Sequence, residues 1–224
     1  GIVLVKTKEG KKGKTSINYS FNAQFSQPAI LPERLDSYTY ATVQNQAAEY
    51  DGMGEYAIFS PEELELFRNQ TDPYRYPNTN WYDLGLKNFA PEYRHSLSIN
   101  GNLNYYVSLG MFEQGSLYTS DALNYSRYTL RSNVNTTFEE IGLKVGLNVN
   151  GAMEKKKYPS FSANSIWEHL NSKNPTDIAF NPDGTLNSIS DNPMMEMDER
   201  SGYAKNDGMF VNTQLLAEWA VPWV

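Results

Sequence analysis

Between Tyr93 and Met153 polar and apolar side chains alternate one for one through the runs 94–100, 105–111, 127–135 and 143–150. A period of two is the strand period, since successive side chains of an extended chain point to opposite faces. One face collects Leu97, Ile99, Val107, Leu109, Met111, Tyr128, Leu130, Val134, Leu143, Val145, Leu147 and Val149. The other collects Arg94, Ser98, Asn100, Ser108, Arg127, Arg131, Asn133, Lys144, Asn148 and Asn150. The same alternation runs from Thr15 to Phe25, where Ile17, Tyr19, Phe21, Ala23 and Phe25 oppose Ser16, Asn18, Ser20, Asn22 and Gln24. It returns near the end of the chain, with Val211, Thr213, Leu215, Ala217, Trp219 and Val221 on one side. The length of the 15–25 run matches the roughly 9 to 11 residues that cross a bilayer at a tilt. Gly1 to Val5 is instead continuously apolar, as in a strand buried on both faces.

A sheet of this extent needs something apolar against one face. Either a second sheet of a soluble sandwich or the hydrocarbon around a membrane barrel with a wet lumen supplies it. The polar face is rich in Asn, Ser, Gly and Arg, which suits a hydrated lumen. The links alternate short and long, at 101–103, 114–124, 137–141 and 154–207. Outer-membrane barrels join their strands in this way, with brief turns on one side and long loops on the other. The fold class expected is therefore all-β, a segment of a large antiparallel transmembrane β-barrel with long helix-containing external loops. The alternative is a soluble β-sandwich, either a glycan-binding module or a glycan hydrolase; an adhesin-like surface protein is a third reading.

Composition narrows the chemistry. Of 224 residues 40% are hydrophobic and mean hydropathy is -0.59. No apolar run is long enough for a membrane helix, which leaves a barrel open because half of each spanning strand is polar. Tyrosine dominates the aromatics, with 16 Tyr against 10 Phe and 4 Trp, and such rings favour membrane interfaces and sugar or protein contacts. The absence of cysteine removes disulfides, thiolate metal sites and a thiol nucleophile. A net charge of -7 argues against nucleic acid as a partner, and Lys6 to Lys14 and Lys155 to Lys157 read as turn and loop charges. His95 and His169 lack HExxH spacing, and Gly-x-Ser-x-Gly, P-loop and dinucleotide fingerprints are missing. His95 falls on the apolar face near a strand start, where an interface position suits it. No enzyme, catalytic residue, cofactor or metal is expected; Asp177, Asp183, Asp191 and Asp198 are too widely spaced for an EF-hand type of calcium loop.

The long links carry helix signals. Asp36 can cap a helix with Tyr40, Val43, Ala47 and Tyr50 on one side, ended by Gly52. Ser60-Pro61-Glu62-Glu63 is a capping box opening a helix through Phe67, whose acids Glu62, Glu63 and Glu65 suit a helix start. Ser165-Ile166-Trp167-Glu168 reads as a second box, and Asn181-Pro182-Asp183-Gly184 as a turn. The most suggestive loop runs from Asp72 to Asp83. Pro73 and Pro77 stiffen it, and Tyr74, Tyr76, Trp81 and Tyr82 offer flat faces beside Asn78 and Asp83, the mixture that binds sugars or peptides. Alternatively these rings pack the loop onto its own helices.

Four stretches then agree, in order, with one family. Gly1-Ile2-Val3-Leu4-Val5-Lys6-Thr7-Lys8-Glu9-Gly10-Lys11 resembles the close of the plug domain in SusC/RagA-type TonB-linked outer-membrane transporters. Leu35 to Ala41, Asp72 to Asp83 and Tyr128 to Val134 resemble that family's following helix, its Pro- and Tyr-rich loop and a barrel strand. The likeness implies that 1–10 is the last plug strand and 14–224 the first six or so barrel strands, with long loops at 26–92 and 154–207. It implies location in the bacterial outer membrane, amid outer-membrane lipid. It further implies uptake of an oligosaccharide or peptide substrate with a SusD-like lipoprotein and with TonB, contacted through a region upstream. Lumen-facing Arg94, Arg127, Arg131, Asn133, Asn148 and Asn150 would then line the substrate cavity or hold the plug.

Overall fold

The computed structural model describes residues 14–101 and 104–221. The expected plug strand at 1–10 lies outside them. Six strands, β1 (Ser16–Ser26), β2 (Ala90–Gly101), β3 (Tyr105–Gly115), β4 (Asn124–Phe138), β5 (Leu143–Pro159) and β6 (Tyr203–Trp219), form one sheet. Each pairs antiparallel with its sequence neighbours, so the sheet is a meander with β1 and β6 at its edges. Among the described residues no second sheet covers it.

Register settles the two faces. One row crosses the sheet as Tyr19, Leu97, Leu109, Leu130, Gly151 and Val211. A neighbouring row on the opposite face is Asn18, Ser98, Ser108, Arg131, Asn150 and Asn212. The apolar face stands uncovered, with Ile17 66%, Leu109 51% and Leu215 71% exposed. Apolar surface on this scale is costly in water and favourable in hydrocarbon. On β6 the apolar band runs from Met209 to Trp219 and stops at Asp207, whose row also holds Glu113 and Lys155. Ten residue steps at about 3.3 Å, tilted by about 40°, give about 25 Å, the height of the apolar band on outer-membrane barrels. Aromatic rings flank the band. Phe25 meets Phe89 and Tyr93 edge-on at 5.4 and 6.3 Å on the loop side. On the other side the Trp219 indole N–H donates to the Ile141 carbonyl at 3.0 Å.

The links divide as the pattern requires. The short ones follow β2 and β4 at one edge; the latter is a 3-10 turn over Glu139–Ile141 closed by Gly142 at φ 65. A Cβ there would run into the Ala220 carbonyl, so glycine is demanded by space as well as by φ. Segments 27–89, 116–123 and 160–202 all lie at the opposite edge. The last is shorter than the expected 154–207, because β5 and β6 stay paired through Tyr158↔Ala204 and Pro159↔Tyr203. Glu154 to Lys157 are charged on both faces, so the ladder continues above the apolar band where alternation is no longer needed.

Within these segments lie α1 (Ser37–Tyr50), α2 (Pro61–Asn69), α3 (Trp81–Gly85), α4 (Ala163–Ser172) and α5 (Pro193–Met197). The Asp36 side chain caps α1 by accepting from the Thr39 amide at 2.7 Å. The capping box of α2 is complete: the Ser60 amide donates to Glu63 Oε2 at 2.9 Å and the Glu63 amide to Ser60 Oγ at 3.2 Å. Two readings are corrected. α1 buries Ser37, Ala41, Asn45 and Ala48 rather than the side with Val43 and Tyr50, which stay exposed. Its packing is set by Asn45, which donates to the Phe59 carbonyl and accepts from the Ile58 and Phe59 amides. The cap of α4 is Ser162, one turn earlier than Ser165, whose amide it accepts at 3.0 Å. Two Ser residues three apart offered equal caps, and the chain uses the first.

Candidate functional site

Trp81, Tyr82, Ile166, Leu170, Ala179, Met194 and Met197 form a buried core at the loop edge, flanked by Leu31, Leu84, Leu86, Tyr118 and Leu186. It is assembled from all three links. The Lys87 amide donates to the Leu117 carbonyl at 2.6 Å and the Thr119 amide to the Gly85 carbonyl at 3.0 Å, around a bridge between Leu86 and Tyr118. The Thr79 amide donates to the Pro175 carbonyl at 2.9 Å, and Arg34 donates to the Asn171 and Lys173 carbonyls. Burial raises the Tyr118 hydroxyl pKa; that hydroxyl donates to the Ala163 carbonyl at 2.8 Å. The three links therefore make one folded cap rather than separate loops.

The loop candidates separate within this cap. Trp81 has no exposed surface, and its indole N–H donates to the Asn174 carbonyl at 2.9 Å. Tyr82 is also buried, stacked on Trp167 at 6.0 Å with its hydroxyl on Asn171 Oδ1 at 2.5 Å. Neither ring face is free for a ligand. Asn78 accepts from the Ser37 amide at 2.9 Å, and Asp83 accepts from Asn80 at 2.6 Å. Tyr76 packs edge-on against Phe67 at 5.3 Å. Tyr74 is half exposed, beside an Asp72 carboxylate that accepts from the Tyr74 and Arg75 amides. Of the six, Tyr74 offers the most open ring.

The lumen candidates lie on one face in several rows. Arg94 and Arg127 share the outermost of these with Asn22, Phe112 and Glu154. The Arg94 guanidinium lies 4.9 Å from the Phe112 ring centre, and Arg127 Nε is 3.5 Å from Glu154 Oε1. Arg94, Phe112 and Arg127, together with Ser96, Tyr125 and Thr129, line a cavity of about 290 Å³. Arg131 and Asn150 are paired across β4 and β5 further down, and Asn133 and Asn148 one row beyond. There Asn148 donates to Gln214 Oε1 at 3.4 Å, beside a Lys144–Glu218 ion pair at 3.6 Å. Phe112, Tyr125 and Glu154 escaped the sequence reading. Phe112 and Tyr125 lie just outside the runs of strict alternation and Glu154 lies within the expected loop 154–207, whereas the extended strands put all three on the polar face. Phe210 and Leu216 are apolar exceptions on this face, both about half exposed.

The cap edge near β6 is held by charge. The Arg200 side chain donates to Asp198 at 2.9 and 2.8 Å and, with the Arg200 amide, holds that carboxyl below its ordinary pKa. Lys157 pairs with Glu199, which ties the top of β5 to the segment preceding β6.

No family model matches the chain. A TonB-dependent receptor, P26, of Formosa agariphila is 30% identical over 197 residues, covering 85% of this chain and 18% of that protein. The chain thus spans less than a fifth of the length of that relative. Among solved structures, the RagAB peptide transporter superposes with a TM-score of 0.59 at 18% identity, over 82% of this chain and 23% of the other. The RagAB peptide importer in its closed-closed state gives 0.55 at 20% identity, with the same coverage. A six-stranded meander with a lipid-facing band, a polar inner face and one-sided loops is what a stretch of such a barrel must be. In sequence the chain is therefore similar to part of a TonB-dependent receptor, and its fold is that of a segment of a RagAB-type outer-membrane transporter barrel.

Proposed function

We propose that this chain forms one wall of an outer-membrane importer that takes up an oligosaccharide or peptide, with a SusD-like surface lipoprotein above the cap and TonB-derived energy delivered through an upstream plug. The observation that carries the proposal is the pairing of a polar inner face with a folded cap at the same edge of the sheet. A membrane wall alone needs only the apolar band. The arginine row under the cap supplies donors that are always charged and planar, suited either to plug carboxylates or to polar substrate groups. Arg127 Nε is buried and has, among the described residues, only the 3.5 Å ion-pair contact with Glu154 and no hydrogen bond, which fits a donor completed by a group from outside this chain. Plug contact is the better reading for the arginines, since a guanidinium that a plug covers needs fixed acceptors. Substrate contact falls to the cap, where the Tyr74 ring lies half exposed.

The test uses the full-length receptor in its outer membrane, expressed with its surface lipoprotein and offered fluorescent oligosaccharides and peptides in turn. Tyr74→Ala should cut uptake about tenfold at equal surface expression, as stacked aromatic anchors do. Arg127→Ala should loosen the plug, seen as leak of a small antibiotic. Uptake unaffected by Tyr74→Ala takes the cap out of the substrate path, and pull-down of the lipoprotein decides the partner separately.

A further inference from the structure

Within the cap, α4 brings His169 between two carboxylates. His169 Nδ1 is 2.7 Å from Glu196 Oε1, and His169 Nε2 is 3.9 Å from Asp191 Oδ1. One ligand atom from each of the three side chains lies within 4.8 Å of the others. Asp191 is open to solvent whereas Glu196 is 4% exposed, and Glu196 Oε2 is buried without a hydrogen-bond partner among the described residues. A buried carboxylate with one oxygen left without a hydrogen-bond partner carries a charge that its surroundings compensate poorly. A divalent cation on the other ring nitrogen compensates it.

We propose that His169 and Asp191 bind a borderline divalent metal ion of the zinc type, with Glu196 as the carboxylate that orients the imidazole. The Nδ1–H of His169 donates to Glu196, which leaves Nε2 as the lone-pair nitrogen facing Asp191, the usual carboxylate–histidine–metal arrangement. Two ligands of a tetrahedral zinc, each about 2.1 Å from the ion, are about 3.4 Å apart, so the observed 3.9 Å needs only a small closure. Water completes the coordination. An imidazole nitrogen favours zinc over the hard ions calcium and magnesium. The ion would clasp α4 to the turn before α5.

Isothermal titration of Zn²⁺ into the tag-free full-length receptor, stripped with chelator and held in detergent, tests this. Wild type should take up an equivalent at micromolar free zinc that excess Mg²⁺ does not displace. Asp191→Asn, at an exposed position that leaves packing untouched, should weaken this equivalent at least tenfold without altering thermal unfolding of the stripped protein. Glu196→Gln should weaken it about 10- to 100-fold, as loss of an orienting carboxylate does. Absence of a stoichiometric equivalent means a plain His169–Glu196 pair and overturns the proposal. An equivalent that Asp191→Asn leaves unchanged places the zinc elsewhere and overturns it as well.

Discussion

At the scale of single residues the sharpest lesson is Trp81. It stands in a Tyr- and Pro-rich stretch that looks made for stacking on a ligand, yet none of its surface is exposed. Its neighbours are Ile166 and Leu170 of α4, some 85 residues away along the chain. No local pattern announces such a partner. Truncating a large buried aromatic removes transfer energy and leaves a cavity, together about 3 to 5 kcal/mol. Trp81→Ala should therefore open the cap while sparing the barrel. Hydrogen exchange should show lost amide protection across 163–172 with strand amides near 97 and 130 unchanged. Tyr74→Ala, at a half-exposed ring, should stay within about 0.5 kcal/mol in the same experiment. Equal effects of the two substitutions would mean that the loop rings form a single packed layer.

Strands were far more legible than caps, for a physical reason. A strand that separates hydrocarbon from water must alternate at every step, and the runs around Leu97, Leu109, Leu130 and Leu147 fall within β2 to β5. Where that demand ends, so does the signal: Lys155, Lys156 and Lys157 remain in β5 although nothing in their polarity says so. Helix starts were legible to within a turn, since Ser60 and Asp36 cap as their chemistry indicates whereas Ser162 displaces Ser165. The buried side of α1 was not, because Asn45 rather than an apolar residue anchors it. The two-face argument makes its own prediction. Leu109→Arg puts a charge on the lipid face about midway along the apolar stretch of β3 between Tyr105 and Met111 and should cost about 2 to 4 kcal/mol of folding stability in bilayers. Ser98→Arg, in the row beside it but on the polar face, should cost less than about 1 kcal/mol. Denaturant titration of the receptor in vesicles compares them, and equal costs would mean that both faces meet water.

For the molecule as a whole, the open sheet and the folded cap make opposite demands on solvent. Every residue of β1 is exposed, and nearly every one of β6, so both edges present unpaired backbone groups as well as apolar side chains. Phe21 at 51% and Trp219 at 65% exposure are stable only against hydrocarbon or another barrel strand. The cap, by contrast, buries its own apolar groups and is at home in water. The isolated 224-residue chain should thus scatter light and precipitate from buffer, and acquire a β-type circular dichroism spectrum as a dispersed species only in detergent micelles. The cap supplies an internal control. Near-ultraviolet signal from Trp81 and Trp167, which sit in or against its core, should appear together with the β spectrum if cap and sheet fold as a unit. A monomer in plain buffer with a cooperative thermal transition would require a cover for the face of Leu97, Leu109 and Leu130, and the barrel reading would then give way to a soluble one.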